Sequence, residues 1–207
     1  MSQIDTIQPS TSVRNYALGI LVVVYTFNFI DRQILSILLE SIKTDLNLSD
    51  TSLGFLTGFA FALFYATLGI PIAKYADRGN RRNLIAISIA VWSFMTALSG
   101  LAQNFFHLLF ARIGVGVGEA GCSPPAHSMI ADYFPANKRS TALGIYSLGI
   151  PFGIMFGLFA GGWINEIFGW RLAFFVVGIP GLLIALLFRL TVKEPIRGQA
   201  EGKIDKQ

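Results

Sequence analysis

Four side chains that can carry or exchange charge, Asp31, Arg32, Arg112 and Glu119, stand inside otherwise apolar stretches of this chain. An ionisable group at bilayer depth costs roughly 2.5 to 3.5 kcal/mol on insertion scales, so a pair of them within residues 106–133 calls for a role. Arg112 and Glu119 are seven residues apart, which returns them to one helix face about 10 Å apart and points both into one polar interior. Asp31 and Arg32 are adjacent and diverge by about 100°, so they cannot both address one partner. Burial favours a neutral acid and a nearby guanidinium favours the anion, so a cation that moves relative to a carboxyl can load or release its proton. The competing reading is structural: a buried ion pair beside a proline kink, with Arg32 snorkelling outward and Asp31 pairing with it. No metal-ligand spacing and no nucleophile–base set occurs, so neither metal nor cofactor is expected and an enzyme is the least expected class. His107 reads as interfacial and His127 as structural, since neither has a partner in sequence.

The elements that must position these charges are membrane spans. The chain has 207 residues, 53% of them hydrophobic and only 14% charged, with a mean hydropathy of +0.59, which is an integral-membrane composition. Six apolar segments, at about 15–39, 52–73, 83–103, 106–132, 141–165 and 172–190, are each long enough to span as a helix. The net charge of +4 does not indicate nucleic acid, because the basic residues sit at helix ends rather than on one exposed face. Twelve of the sixteen Lys and Arg residues fall on the side of the N-terminus, loops 2–3 and 4–5 and the C-terminal flank, and only Lys43 and Arg171 on the other. That bias predicts both termini in the cytoplasm, and the expected location is a bacterial inner (plasma) membrane. The lone Cys122 excludes a disulfide framework and reads as a small packing residue. Residues 1–14 are expected to be a disordered tail, 15–192 a six-helix transmembrane bundle, and 193–207 a polar linker or tail.

Glycine and proline set how these spans meet. Gly114, Gly116, Gly118 and Gly121 clear side chains from around Arg112 and Glu119. Pro124 and Pro125 leave the carbonyls of Ala120 and Gly121 without helical donors. Gly149, Gly153, Gly157 and Gly161 recur every four residues on the fifth span, with Pro151 marking a bend. This face can serve either as static packing or as a surface on which helices slide during gating. The third span, without an ionisable group, reads as scaffold. Between the second and third, AKYADRGNRR is a turn that sets Asp77 among Arg78, Arg81 and Arg82.

That AKYADRGNRR turn, together with Arg112 and the Gly/Pro pattern of the fifth span, resembles the major facilitator superfamily. Within it, FIDR, RIGVGVGEAG, IADYFPANKRSTALGIY and GIPFG are similar to the Spinster-like group, over residues 15–195. The resemblance implies an all-α membrane fold of two six-helix halves, each built from two inverted three-helix repeats, of which this chain supplies the N-terminal half. It implies a proton-coupled transporter of lysolipid, sphingoid or other amphipathic substrates. Asp31 and Glu119 would be the protonatable carboxylates, Arg32 and Arg112 their charged partners, and Asp77, Arg78, Arg81 and Arg82 the cytoplasmic gate. The partners implied are a small-molecule or lipid substrate, protons, the bilayer, and a C-terminal six-helix half or second chain. Anion:cation symporters share the Asp-Arg pair and the Gly-Glu-Ala, which keeps an organic-anion substrate open. A non-transporting membrane subunit is the alternative of another class.

Overall fold

The computed structural model describes residues 9–201; the outer parts of the two expected tails, 1–8 and 202–207, lie outside the described residues. Six helical spans follow one another: α1 Thr11–Leu46, α2 Asp50–Ala76, α3 Arg81–Ser99, α4 Phe105–Tyr133, α5 Ala136–Phe168 and α6 Trp170–Thr191. A short 3-10 turn, Gln199–Glu201, comes after them. Short polar caps terminate and restart the spans, as their sequences require. Asn47 turns left-handed at the end of α1, and Ser49, Asn80 and Asn104 accept from the first-turn amides of α2, α3 and α4.

Two expected boundaries move. α1 already begins at Thr11, behind a Ser10 cap, so residues 11–14 belong to a helix rather than to a disordered tail. Residues 193–201 are not a free linker either: they lie across the end of the bundle that carries the chain termini, held by the side chains described below. Three spans are also less regular than their hydropathy suggests. α2 passes through a π-helical turn at Phe55–Ala60, after an α-helical first turn at Asp50–Gly54. α4 breaks at Gly121–Cys122 into Phe105–Ala120 and Ser123–Tyr133, with the prolines in the first turn of the second piece. There the broken ladder closes through tighter bonds, from the Gly121 N–H to the Gly118 carbonyl and from the Cys122 N–H to the Glu119 carbonyl. α5 likewise breaks at Leu148, three residues before Pro151.

The bundle has internal symmetry. α1 packs along α5 and α6, α4 packs along α2 and α3, and α3 lies along α6. Exchanging the first three helices for the last three maps the contacts of α1 onto those of α4 and the α3–α6 contact onto itself, the signature of two inverted three-helix units. Small residues make the approaches possible. A Cβ added at Gly153 of α5 would fall 2.4 Å from the Phe29 Cβ and 2.5 Å from the Thr26 carbonyl on α1. One at Gly178 of α6 would fall 2.6 Å from the Ala97 amide of α3, and one at Gly118 of α4 would fall 2.7 Å from the Trp92 amide of α3. The core divides into two apolar clusters. One lies nearer the termini, around Leu21, Trp92, Met129 and Phe188; the other lies toward the opposite end, around Leu38, Leu56, Leu108 and Phe174.

These contacts set apart two glycines on one helix. Gly153→Ala is expected to lower the thermal unfolding temperature in detergent, because α1 backbone must retreat. Gly162→Ala, whose new Cβ meets only the Ile37 Cγ1 at 3.8 Å, is expected to be neutral or stabilising through its helix propensity. Equal effects of the two substitutions would show that α5 does not sit on α1 through its glycine face.

Candidate functional site

On α1, α3 and α4 the polar residues fall between the two apolar clusters. Asn28 and Asp31 lie between Val24 and Ile34, Thr96 between Trp92 and Ala102, and Arg112 between Leu108 and Val115. Asn28, Asp31, Thr96, Arg112 and Glu119 are all buried. The structure crosses the charges between α1 and α4. Arg32 donates from Nε to the Glu119 Oε2 at 2.6 Å, whereas Arg112 reaches the Asp31 Oδ1 at 3.4 Å. The divergence of neighbours on α1 is thus resolved by giving each its own partner on α4, and Asp31 does not pair with Arg32. Thr96 of α3 donates its hydroxyl to the other Asp31 oxygen.

Arg32 differs from the other three charges. Its side chain keeps 29% exposure while that of Glu119 has none, and its guanidinium stands over the rings of Phe29, Phe61 and Tyr65 at 5.1 to 5.4 Å. Rings at that distance stabilise a cation that has shed water. Glu119 is the next-to-last residue of the first piece of α4, two residues before the break at Gly121, so a rotation or bend there displaces its carboxylate directly. His127 packs edge-on against Tyr146, with the two rings 5.4 Å apart.

A second polar centre lies at the end that carries the termini. Arg81, which is 1% exposed, bonds the Glu194 Oε1 at 2.8 Å, the Ser128 hydroxyl at 2.8 Å, the Pro195 carbonyl at 2.9 Å and the Asp132 carboxylate. The Arg82 amide donates to the Glu194 Oε2. Arg197 donates to the Ala76 and Gly79 carbonyls, both at 2.7 Å, and the Gly198 amide donates to Asp132. Of the four residues expected in the gate loop, only Arg81 is a hub; Asp77 and Arg78 are exposed. Gly149, Gly153, Gly157 and Gly161 all face α1.

Several site residues escaped sequence reasoning. Asp132 and Glu194 were not singled out in the sequence, although an acid at each of two helix ends opposite an arginine turn is a signal that could have been used. Thr96 corrects the reading of α3 as scaffold alone. Its hydroxyl had no distinguishing signal in an apolar run, because a threonine there can equally well bond its own helix.

A Major Facilitator Superfamily model matches residues 21–206. The chain belongs to the major facilitator superfamily. It is 40% identical over 176 residues to an MFS-type efflux pump of Mycolicibacterium smegmatis, covering 85% of this chain and 41% of that protein. It is 36% identical over 192 residues to a probable galactarate/D-glucarate transporter of Bacillus subtilis, covering 89% and 42%, and 35% identical over 190 residues to human protein spinster homolog 1, covering 90% and 36%. Among solved structures it superposes with a TM-score of 0.88, at 42% identity, on a bacterial homolog of the human lysosomal transporter Spinster in an inward-facing and occupied conformation, covering 94% of this chain and 48% of that one. The chain thus spans less than half the length of these relatives, and its six helices are the N-terminal half of the superfamily fold.

The hydrogen bond to Asp31 gives a direct expectation. Thr96→Val keeps the shape and removes the donor, which should cost about 1 to 3 kcal/mol for a buried carboxylate left short of a partner, whereas Thr96→Ser should retain most of it. Thermal unfolding of both variants decides, and a valine variant as stable as wild type would mean that the hydroxyl does not support Asp31.

Proposed function

We propose that this chain forms one half of a proton-coupled secondary transporter for a lysolipid, sphingoid or related amphipathic substrate, with Asp31 and Glu119 carrying the proton and Arg112 and Arg32 as their alternating partners. The observation that carries this reading is the crossed pairing itself: two buried acids, each held by a guanidinium, one buried and one partly open, where apolar side chains would be cheaper. When α1 and α4 shift, each acid can lose its guanidinium, and an acid without its cation takes up a proton. Similarity to Spinster proteins supports the substrate class. Arg32, partly open and ringed by aromatic side chains, suits the anionic head of an amphipathic molecule.

The substrate would lie between this half and a second six-helix half, supplied by the same or another chain. The break in α5 and its glycine face on α1 are the proposed sliding element. At the terminal end, exposed Asp77 and Arg78 would meet the second half, while Arg81 and Arg82 fasten the gate within this one. The excess of basic residues at that end supports a cytoplasmic position for it, and the protein would lie in a bacterial inner membrane. Organic-anion symport is the second reading, favoured by the relation to the galactarate/D-glucarate transporter.

The test uses proteoliposomes bearing the protein expressed from its complete reading frame, with a fluorescent lysolipid and a radiolabelled aldarate as alternative substrates. Asp31→Asn and Glu119→Gln are each expected to abolish pH-gradient-driven uptake while leaving counterflow exchange at equal pH measurable and the fold intact. Stable variants with unchanged dependence on the gradient would defeat the coupling assignment. Variants that fail to fold would favour a structural ion pair, and uptake of the aldarate alone would favour the second reading.

A further inference from the structure

Four buried polar atoms around the crossed pairs find no hydrogen-bond partner among the described residues: Asn28 Nδ2, Asn28 Oδ1, Arg112 Nε and Glu119 Oε1. Leaving such an atom unbonded costs about 1 to 3 kcal/mol, so four together in one small region point to something that satisfies them. Their heights along the bundle agree. α1 and α4 run in opposite directions, so moving back from Asp31 to Asn28, about 4.5 Å along α1, goes the same way as moving on from Arg112 to Glu119, about 10 Å along α4. Asn28, 1% exposed, therefore lies at a level between Arg112 and Glu119, on the side of Asp31 that faces the second carboxylate.

The chemistry of the set selects its occupant. Asn28 Nδ2 and Arg112 Nε donate, whereas Asn28 Oδ1 and Glu119 Oε1 accept. A bound cation would be repelled by the donors and a bound anion by the acceptors. Water alone among small species satisfies both, and a buried water typically makes about three such bonds. The other charged groups facing this region are Asp31 and Arg32, with Thr96 on Asp31; Tyr25, Tyr65 and Cys122 are the further titratable groups within electrostatic reach of Arg32 or Glu119.

We infer that Asn28 anchors a short chain of bound water between the two ion pairs, and that this water passes a proton between Asp31 and Glu119. In the transfer, a water oxygen accepts the proton leaving the Asp31 carboxyl while releasing one of its own protons toward Glu119 Oε1. The water is regenerated, and one proton has moved from the first acid to the second. Asn28 is a positioning residue, and the inference rests on the coupling role proposed above for the two acids.

The test compares wild type, Asn28→Leu and Asn28→Ser in the protein expressed from its complete reading frame. Asn28→Leu is expected to slow pH-gradient-driven uptake by about tenfold or more, as when a proton step loses its positioned relay. Counterflow exchange at equal pH should change by less than about twofold and thermal stability should hold or rise, because no buried protein hydrogen bond is lost. Asn28→Ser, which can still bind water, should recover much of the driven rate. Driven uptake in Asn28→Leu equal to wild type overturns the relay while leaving the acids in place. Wild type without any driven uptake overturns the coupling reading and the relay together. Should Asn28→Leu not fold, the wild-type protein decides at high resolution. Ordered water within hydrogen-bond distance of both the Asn28 amide and Glu119 supports the relay, and apolar side chains packed against both amide atoms overturn it.

Discussion

A carboxylate or a guanidinium taken out of water loses several kcal/mol of hydration that only a well-formed set of opposite charges and hydrogen bonds can offset. Asp31, Arg32, Arg112 and Glu119 can therefore occupy the interior only together, and that requirement fixes where α1, α3 and α4 stand. α1 must present two successive residues to α4, and α4 must offer its two charges about two turns apart on one face. α3 must come close enough for Thr96 to reach Asp31. The glycines of α4 permit that approach, since a Cβ at Gly118 would strike the Trp92 amide. The two apolar clusters, above and below, keep bulk water out and so strengthen each electrostatic contact in the layer.

The two pairs are unequal in distance and exposure. Arg32 holds Glu119 at 2.6 Å but stays partly open to the surroundings, whereas Arg112 holds Asp31 from 3.4 Å in a fully enclosed position. One acid is thus gripped by the more exposed cation, and the other is gripped loosely and helped by a hydroxyl. Beside them the backbone is discontinuous: α4 breaks two residues after Glu119, and α5 breaks at Leu148, where its glycine face on α1 begins. Helix breaks and close glycine contacts are where a packed bundle can change between discrete arrangements without opening its core. At the terminal end, by contrast, Arg81 ties α3, α4 and the segment after α6 into one buried node.

Much of this was legible in the residues. Charges inside apolar windows are rare enough to mark the site, and seven-residue spacing correctly set Arg112 and Glu119 on one inward face. The six spans and their inverted relation followed from hydropathy and family resemblance. The pairing was not legible, because it depends on how far α1 and α4 are rotated and shifted against each other, which no local pattern encodes. Thr96 and Asn28 were hidden for a different reason: an uncharged polar residue in an apolar helix can always bond its own backbone, so its type does not announce a partner. Arg81 was read with its neighbours as one charged loop, yet burial separates it from Asp77 and Arg78, and burial there is created by residues 193–201 folding back over the bundle end.

Energetic coupling between Arg32 and Glu119 tests the crossed arrangement most directly. It is obtained from the unfolding free energies of the protein with Arg32→Gln, Glu119→Gln and both together. A direct buried pair predicts that the double variant is more stable than the sum of the single losses implies, by about 1 kcal/mol or more, because removing both partners leaves neither charge stranded. Losses that add to within about 0.5 kcal/mol would show that the two side chains do not depend on each other, and would contradict the crossed pairing on which the buried layer rests.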